Sequence, residues 1–432
     1  MESVKLNSDQ RQTVDMMHEF AESEKPFFLV LGQAGTGKTT CCNTFVRETK
    51  KKVALTAPTN KATRVLTEMA QREDVLVDCM TAYAAMGLRL TKDSEYLEVV
   101  AREGAPLMDY DIAFLDEGSM GSAQLYYHAR RFTDEGIKFI VMGDSYQLPP
   151  VNETESKFLL VPDCSVLQKV ERHDNQILTA ATEIRKAIDE LRKPIIKTDV
   201  GEDGTGVRTV NYAKMEKIVR QAFCSDAHEE DPKNFKIICW RNSAVEHYNN
   251  LVRGALYGGE AAKSKFFPGE RIIATHPIMD AFNLDSEDIK IVMTTDEEGT
   301  VQSVDVGPHP VFSDIDCYHV LVDTDFGDEK AVMCYVVHES SQKTYGKLLT
   351  KLADDAKARR GSWSSFWAAK NEVFMDIRPC HAITTHRSQG STYKNTFVDA
   401  QDILVNQNFQ ESLRCLYVAC TRASKNNIVL TR

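Results

Sequence analysis

Residues 32 to 39 read Gly-Gln-Ala-Gly-Thr-Gly-Lys-Thr, which fits the phosphate-binding pattern G-x-x-x-x-G-K-T without a mismatch. Gly32, Gly35 and Gly37 permit a tight turn whose backbone N–H groups can approach a polyphosphate. Lys38 suits the β- and γ-phosphates and Thr39 suits Mg²⁺, with Thr36 and Thr40 completing an ATP-binding set. A second group is Asp116-Glu117. Alone it reads as a solvated acidic strand end. Beside a phosphate loop, Asp116 suits Mg²⁺, often through water, and Glu117 suits polarising an attacking water. Gln147, in the segment 142–151, is a neutral amide able to donate to a γ-phosphate oxygen, although the segment alone is an ordinary strand-to-turn junction. Arg422 is the fourth piece. A guanidinium inserted from another domain stabilises phosphoryl charge and is worth about 10³ to 10⁵ in rate, whereas a lone helical Arg is usually a surface residue.

These groups need elements to hold them. The apolar run 27–31 has the length of a buried strand, and 39–50 lacks Gly and Pro and suits a helix, which gives the strand–loop–helix context. Its dipole lies beneath the phosphates. Runs at 53–56, 112–115 and 139–142 alternate with helical patterns, predicting a parallel sheet covered by helices. Asp116-Glu117 then lies at the carboxyl end of a strand. A second series begins at 237–240 and resumes at 396–398 and 428–430. Between its parts, from about 271 to 343, short β-branched runs separated by Gly, Pro, Asp and Asn predict a small antiparallel β insertion, followed by a helix over 348–360. A shorter insertion at about 87–109 predicts a hairpin. Pro58, Thr59 and Asn60 close the strand after the loop helix. Short polar groups there can grip a nucleic-acid backbone, and the plain reading is a helix N-cap.

The 432-residue length predicts two or three domains. Hydrophobic content of 42% and charged content of 27% are those of a soluble globular protein. No apolar run approaches the roughly 18 residues of a membrane span, and the first residues lack a signal-peptide core, so a cytoplasmic protein without a membrane partner is expected. Eleven cysteines without a C-x-x-C pair argue for a reducing compartment and against a zinc site or disulfide framework. A net charge of −11 tells against wholesale polyanion binding but leaves room for a local basic groove.

The strings GQAGTGKTT, APTNKAT, DEGSM, GDSYQLPPV, TTHRSQGST and YVACTRA, in that order, resemble the superfamily 1 DNA helicases, and most of all subfamily B, the RecD/Dda-like group. The resemblance implies an α/β fold of two RecA-like P-loop NTPase motor domains with ATP and Mg²⁺ between them. It implies a first motor over 1–86 and 110–161, a strand-separating pin over 87–109, a second motor over 162–270 and 375–432, and an SH3-like insertion over 271–374. It further implies Gln10 as the adenine-reading glutamine, Gly390 at the ATP site, and Arg172 and Arg422 as arginine fingers. Pro58, Thr59, Asn60, Tyr83 and His386 fall near the DNA backbone, and Tyr96 or Val99 near the pin tip. The activity implied is 5′ to 3′ translocation on single-stranded DNA with unwinding of forked duplex, as a monomer, in replication or recombination beside single-strand-binding proteins; a phage or other viral origin places it in host cytoplasm.

Departures from the family pattern are specific. Thr81-Ala82-Tyr83 stands where Thr-x-His is common, the pin segment has no Phe, and 284–289 replaces an Asn-Gly turn. Trp363 and Trp367, four apart, share a helix face. The plain reading is core, and the functional one is docking of the insertion against the pin. Two other readings remain: a translocase that mainly strips bound proteins, and a P-loop kinase or switch NTPase. The latter needs only one nucleotide domain, which Arg172, Arg422 and the second strand series oppose.

Overall fold

The computed structural model describes residues 6–33, 35–90, 97–99, 104–169, 176–279, 291–325 and 331–431. Arg172 and Tyr96 lie outside the described residues, as does the turn expected at 284–289.

Chemistry starts at the first strand. Helix α1 (Ser8–Glu22) is opened by a capping box between Asn7 and Gln10 and buries Val14, Met17 and Phe20. Strand β1 (Phe27–Gly32) is buried along almost its whole length, as a central strand with both faces covered must be. Helix α2 (Lys38–Glu48) begins directly after Gly37, whose φ of 87° is left-handed and open to glycine. Strands β2 (Val53–Ala57) and β3 (Asp78–Thr81) follow, separated by α3 (Asn60–Arg72). With β6 (Ile112–Leu115), β7 (Lys138–Gly143) and β8 (Cys164–Leu167) they form one sheet in the order β3-β2-β6-β7-β1-β8, every pair parallel. Strand β8 pairs with β1, so the first sheet runs on to Leu167, past the boundary expected at 161. Between β3 and β6, β4 (Leu88–Leu90) and β5 (Leu97–Val99) pair antiparallel, Leu88 opposite Val99.

The second sheet has the order β19-β11-β20-β21-β10-β9. Its strands are β9 (Asp199–Val200), β10 (Gly206–Val210), β11 (Phe235–Cys239), β19 (Ala382–Thr384), β20 (Tyr393–Asp399) and β21 (Ala423–Leu430). All its pairs are parallel except β9 with β10. Between β11 and β19 the chain builds a five-stranded antiparallel sheet, β17-β16-β15-β12-β18. It comprises β12 (Arg271–Ala274), β15 (Glu298–Pro308), β16 (Asp316–Thr324), β17 (Ala331–Val337) and β18 (Ile377–Pro379), and it has its own core around Ile272, Val320 and Cys334. A two-stranded ribbon, β13 (Ile278–Met279) with β14 (Ile291–Met293), lies beside it in the chain.

A helix at Gln342–Lys357 and a short one at Trp363–Ala368 follow β17. The core reading of the tryptophans does not hold. Trp363 is 42% and Trp367 38% exposed, each edge-on to Phe366. Two large rings four residues apart report a shared face, but not what covers it. Among the described residues, no helix is long and apolar enough to cross a membrane.

Candidate nucleotide site at the junction of two sheets

The loop after β1 is a cradle that side chains cannot fill. A Cβ on Gly32 would stand 2.4 Å from Thr36 Oγ1, and one on Gly37 would stand 2.3 Å from Gln10 Nε2. Thr36 is buried and donates to Gln33 O at 2.9 Å. Lys38 Nζ donates to Gly32 O at 2.6 Å, so its cation already lies along the loop. Thr39 and Thr40 occupy the first turn of α2. Gln10 supports the loop from α1: Oε1 accepts from Asn7 N at 3.0 Å and Nε2 donates to Thr36 O at 3.1 Å.

Asp116 and Glu117 leave β6 at its carboxyl end. Asp116 Oδ1 accepts from Glu117 N at 2.8 Å. Glu117 has φ 50° and ψ 40°, a left-handed conformation that a glutamate occupies only at a cost of about 1–3 kcal/mol. Such strain marks a side chain aimed by its surroundings. Burial raises both carboxyls above their ordinary range. Lys38 opposes this at Asp116, while at Glu117 the neighbouring Asp116 adds to it and Arg422 and Lys38 oppose it. Glu117 on the first sheet thus feels a guanidinium from the second.

Arg422 follows helix Phe409–Cys420 and is 6% exposed. Its Nε donates to Val418 O at 3.1 Å and its Nη1 to Ser391 O at 3.3 Å, which fixes the fork on the second unit. Gly390 has φ 75°, and a Cβ there would stand 3.6 Å from Ala62 Cβ of α3, so it lies at the contact between units. Gln147 is 4% exposed, and its Oε1 accepts from Gln389 Nε2 at 3.0 Å across the same junction. Lys38 thus acts on both carboxyls and Arg422 on Glu117, while Gln147 is bonded to the second unit through Gln389.

The residues expected near nucleic acid are more dispersed. Thr59 is the N-cap of α3, accepting from Ala62 N at 3.2 Å, while Pro58 is buried and Asn60 exposed. Tyr83 is half-buried against the first unit's core. His386 is exposed, with Nε2 3.9 Å from Glu411 Oε1. Val99 is placed only by its backbone, opposite Leu88.

Sequence reasoning missed an ionic junction behind α3. Lys61 Nζ donates to Tyr393 Oη at 3.3 Å and lies 3.8 Å from Glu298 on β15. Glu298 also pairs with Lys236 on β11 at 3.0 Å and with Arg271 on β12 at 3.2 Å. Arg64 of α3 reaches Glu297 at 2.8 Å. Burial alone would raise the Glu298 carboxyl, but Lys236, Lys61 and Arg271 hold it well below the ordinary carboxylate range. A helix of the first unit, the second sheet and the antiparallel insertion meet at one carboxylate. No local signal shows this, because Lys61, Lys236 and Arg271 lie 237, 62 and 27 residues from Glu298 in the chain; only the odd placing of a charge beside a strand core, as at Lys236, hints at it.

Comparison with known proteins agrees with this construction. Residues 5–194 match the family described as AAA domain, and residues 379–430 match the UvrD-like helicase C-terminal domain. A curated relative, an uncharacterized protein of Acanthamoeba polyphaga mimivirus, is 23% identical across 97% of this chain and 98% of its own. Among solved structures, one of two coordinating Pif1 helicases unwinding forked double-stranded DNA aligns with TM-score 0.55 and 16% identity, over 99% of this chain and 92% of that one. Bacteroides Pif1 in complex with ADP-AlF3 and single-stranded DNA aligns with TM-score 0.51 and 15% identity, over 99% and 92%. Pif1 from Candida albicans aligns with TM-score 0.50 and 14% identity, over 99% and 95%. The chain is thus similar to an AAA domain over its first part and to a UvrD-like helicase C-terminal domain near its end, and it has the two-domain RecA-like fold seen in the Pif1 structures.

Proposed function

We propose that this chain is an ATP-dependent DNA helicase of superfamily 1B, in the RecD/Dda-like group, which moves 5′ to 3′ on single-stranded DNA and opens forked duplex. The observation that carries this reading is the shared site: Glu117 leaves the first sheet in a strained conformation and lies in the field of Arg422 from the second. A nucleotide site split between two bodies converts hydrolysis into their relative motion, which a kinase or switch NTPase with one nucleotide domain does not need.

The roles follow from position. The loop amides and Lys38 hold the phosphates. Thr39 and Asp116 would hold Mg²⁺, which when bound neutralises phosphate charge. Glu117 polarises the attacking water, Gln147 donates to the terminal phosphate, and Arg422 stabilises the charge that develops there. Arg172 is assigned as a second guanidinium by family resemblance alone. Gln10, with Gly390 and the loop threonines, completes the ATP site; its two present bonds leave one N–H and one oxygen lone pair for adenine. Pro58, Thr59, Asn60, Tyr83 and His386 are proposed to face single-stranded DNA. The hairpin of β4 and β5 is proposed as the strand-separating pin, with Tyr96 assigned to its tip by resemblance alone; Val99, expected there too, pairs opposite Leu88 at the base of the hairpin instead. The five-stranded insertion is proposed as an SH3-like accessory domain.

The neighbouring Pif1 structures concern forked and single-stranded DNA, which supports the substrate class. The deciding experiment uses forked duplexes bearing only a 5′ or only a 3′ single-stranded tail, with ATP and Mg²⁺. Unwinding of the 5′-tailed fork alone is expected. Unwinding of the 3′-tailed fork alone would reverse the polarity, and unwinding of neither, with DNA-stimulated hydrolysis intact, would favour a translocase that strips proteins.

A further inference from the structure

The turn that carries Gln147 leaves the first sheet but docks in the second unit. Gln389 Nε2 donates to Gln147 Oε1 at 3.0 Å, and Arg414 Nη1 donates to Gln147 O at 3.0 Å. The Tyr417 hydroxyl donates to Asp144 Oδ2 at 2.8 Å, and the Tyr146 hydroxyl donates to Asp189 Oδ2 at 3.0 Å. Leu148 is 1% exposed and packs in the second sheet's core with Ile184, Leu413 and Leu416. These partners sit on helix Gln176–Asp189, after helix Thr385–Ser388 and on helix Phe409–Cys420, all of the second unit.

We infer that the turn 144–148 moves with the second sheet, and that Gln389, Arg414 and Tyr417 are positioning residues that set the reach and the amide polarity of Gln147. The inference rests on the ATP-hydrolysing helicase reading. A primary amide carries an acceptor at one end and two donors at the other. Because Gln147 accepts from Gln389 through its oxygen, its N–H groups are left for the terminal phosphate, and an anion is stabilised only by that end. Arg414 holds the backbone carbonyl of the same residue, so the side chain starts from a fixed root. Tyr417 is 1% and Asp144 2% exposed, so the bond between them is sheltered from water and anchors the start of the turn. Movement of the second unit therefore carries the donor toward or away from a phosphate held on the first sheet, through a tether made of three side chains.

The test measures ATP hydrolysis by the full chain, with and without an oligothymidylate, together with base pairs opened per ATP. At neutral pH a glutamate at position 389 only accepts, so Gln389→Glu obliges Gln147 to turn its N–H groups away and to present oxygen to the phosphate. DNA-stimulated kcat should fall about 10- to 100-fold, the scale of a misplaced catalytic group, with KM for ATP little changed. Gln389→Ala, which removes the donor without reversing the amide, should lose less. Tyr417→Phe deletes one oxygen and leaves the buried Asp144 carboxylate one donor short, so a modest loss of thermal stability should accompany a fall in kcat and in base pairs per ATP. A purely structural role would lower stability alone and would not separate Gln389→Glu from Gln389→Ala. Equal kcat for those two variants, or a Tyr417→Phe enzyme that matches the parent in kcat and in base pairs per ATP, overturns the inference while leaving the helicase reading intact. A parent chain whose hydrolysis ignores DNA overturns the helicase reading and this inference with it.

Discussion

At the scale of single residues, the site separates binding from turnover. Glu117→Gln keeps the shape and removes the carboxylate that polarises water. ATP binding, followed with a fluorescent analogue, should survive, and turnover should fall by about 10² to 10⁴. Lys38→Ala should lose nucleotide binding itself, because its ammonium already lies along the loop at Gly32 O. Arg422→Ala should cut turnover by about 10³ or more with a modest change in ATP affinity, since its charge matters most as the phosphoryl group transfers. Steady-state rates set beside equilibrium binding distinguish the three patterns. Glu117 also pays for its left-handed backbone. A glycine there should raise the melting temperature slightly while abolishing turnover, because the strain and the chemistry reside in one residue.

At the scale of elements, the junction at Glu298 is the sharpest test of packing. Glu298→Gln leaves Lys236 and Lys61 facing each other without their shared counter-charge, while Arg271 keeps Asp325, at a cost of about 3–5 kcal/mol. The sign of its pH dependence follows from the depressed carboxyl. Its stabilisation is complete above the ordinary glutamate value of about 4.3 and is lost as pH falls toward the lower folded value. The gap in melting temperature between parent and variant should therefore be wide at pH 7 and narrow in acid. The hairpin gives a second test. Leu88 and Leu107 belong to the first unit's core, so a Gly/Ser replacement must spare both and fall within 90–104. Unwinding of a fork should then be lost with DNA-stimulated hydrolysis retained; joint loss of both would mean that the hairpin is packing.

These elements differ in how far sequence revealed them. The phosphate loop, β1 and α2 are local, because glycines, an apolar run and an unbroken helix specify them within a few residues. The parallel strands and the antiparallel insertion show in apolar runs and turn residues for the same reason. The boundary at 161 misses β8 because Cys164–Leu167 is short and half exposed, so nothing local ties it to β1. The tryptophan pair failed likewise, since helical spacing gives a face and not its cover. Gln389 and Tyr417 lie within strings that sequence singled out, but their partners Gln147 and Asp144 are 242 and 273 residues distant, which no periodicity encodes.

At the scale of the whole molecule, a net charge of −11 must coexist with a strand of phosphates. Binding to single-stranded DNA should be independent of sequence and should weaken steeply with salt, by about 0.7 log units per phosphate neutralised for each tenfold rise in salt. A fluorescence titration at three salt concentrations measures the slope; a flat slope, or strong preference for one sequence, argues against a moving motor. The packing of Leu148 has a consequence for how this polypeptide can be divided. A piece ending at Lys169 would contain all six strands of the first sheet, yet its Leu148 and Tyr146 would lose the hydrophobic bed supplied by Ile184, Leu413 and Leu416 and by Asp189. Such a fragment should be sticky, and adding the remainder in trans should restore its solubility. The two halves are then not beads on a string: the earlier-made one is finished only after the later one exists, and a ribosome must deliver Leu416 before Leu148 is out of water.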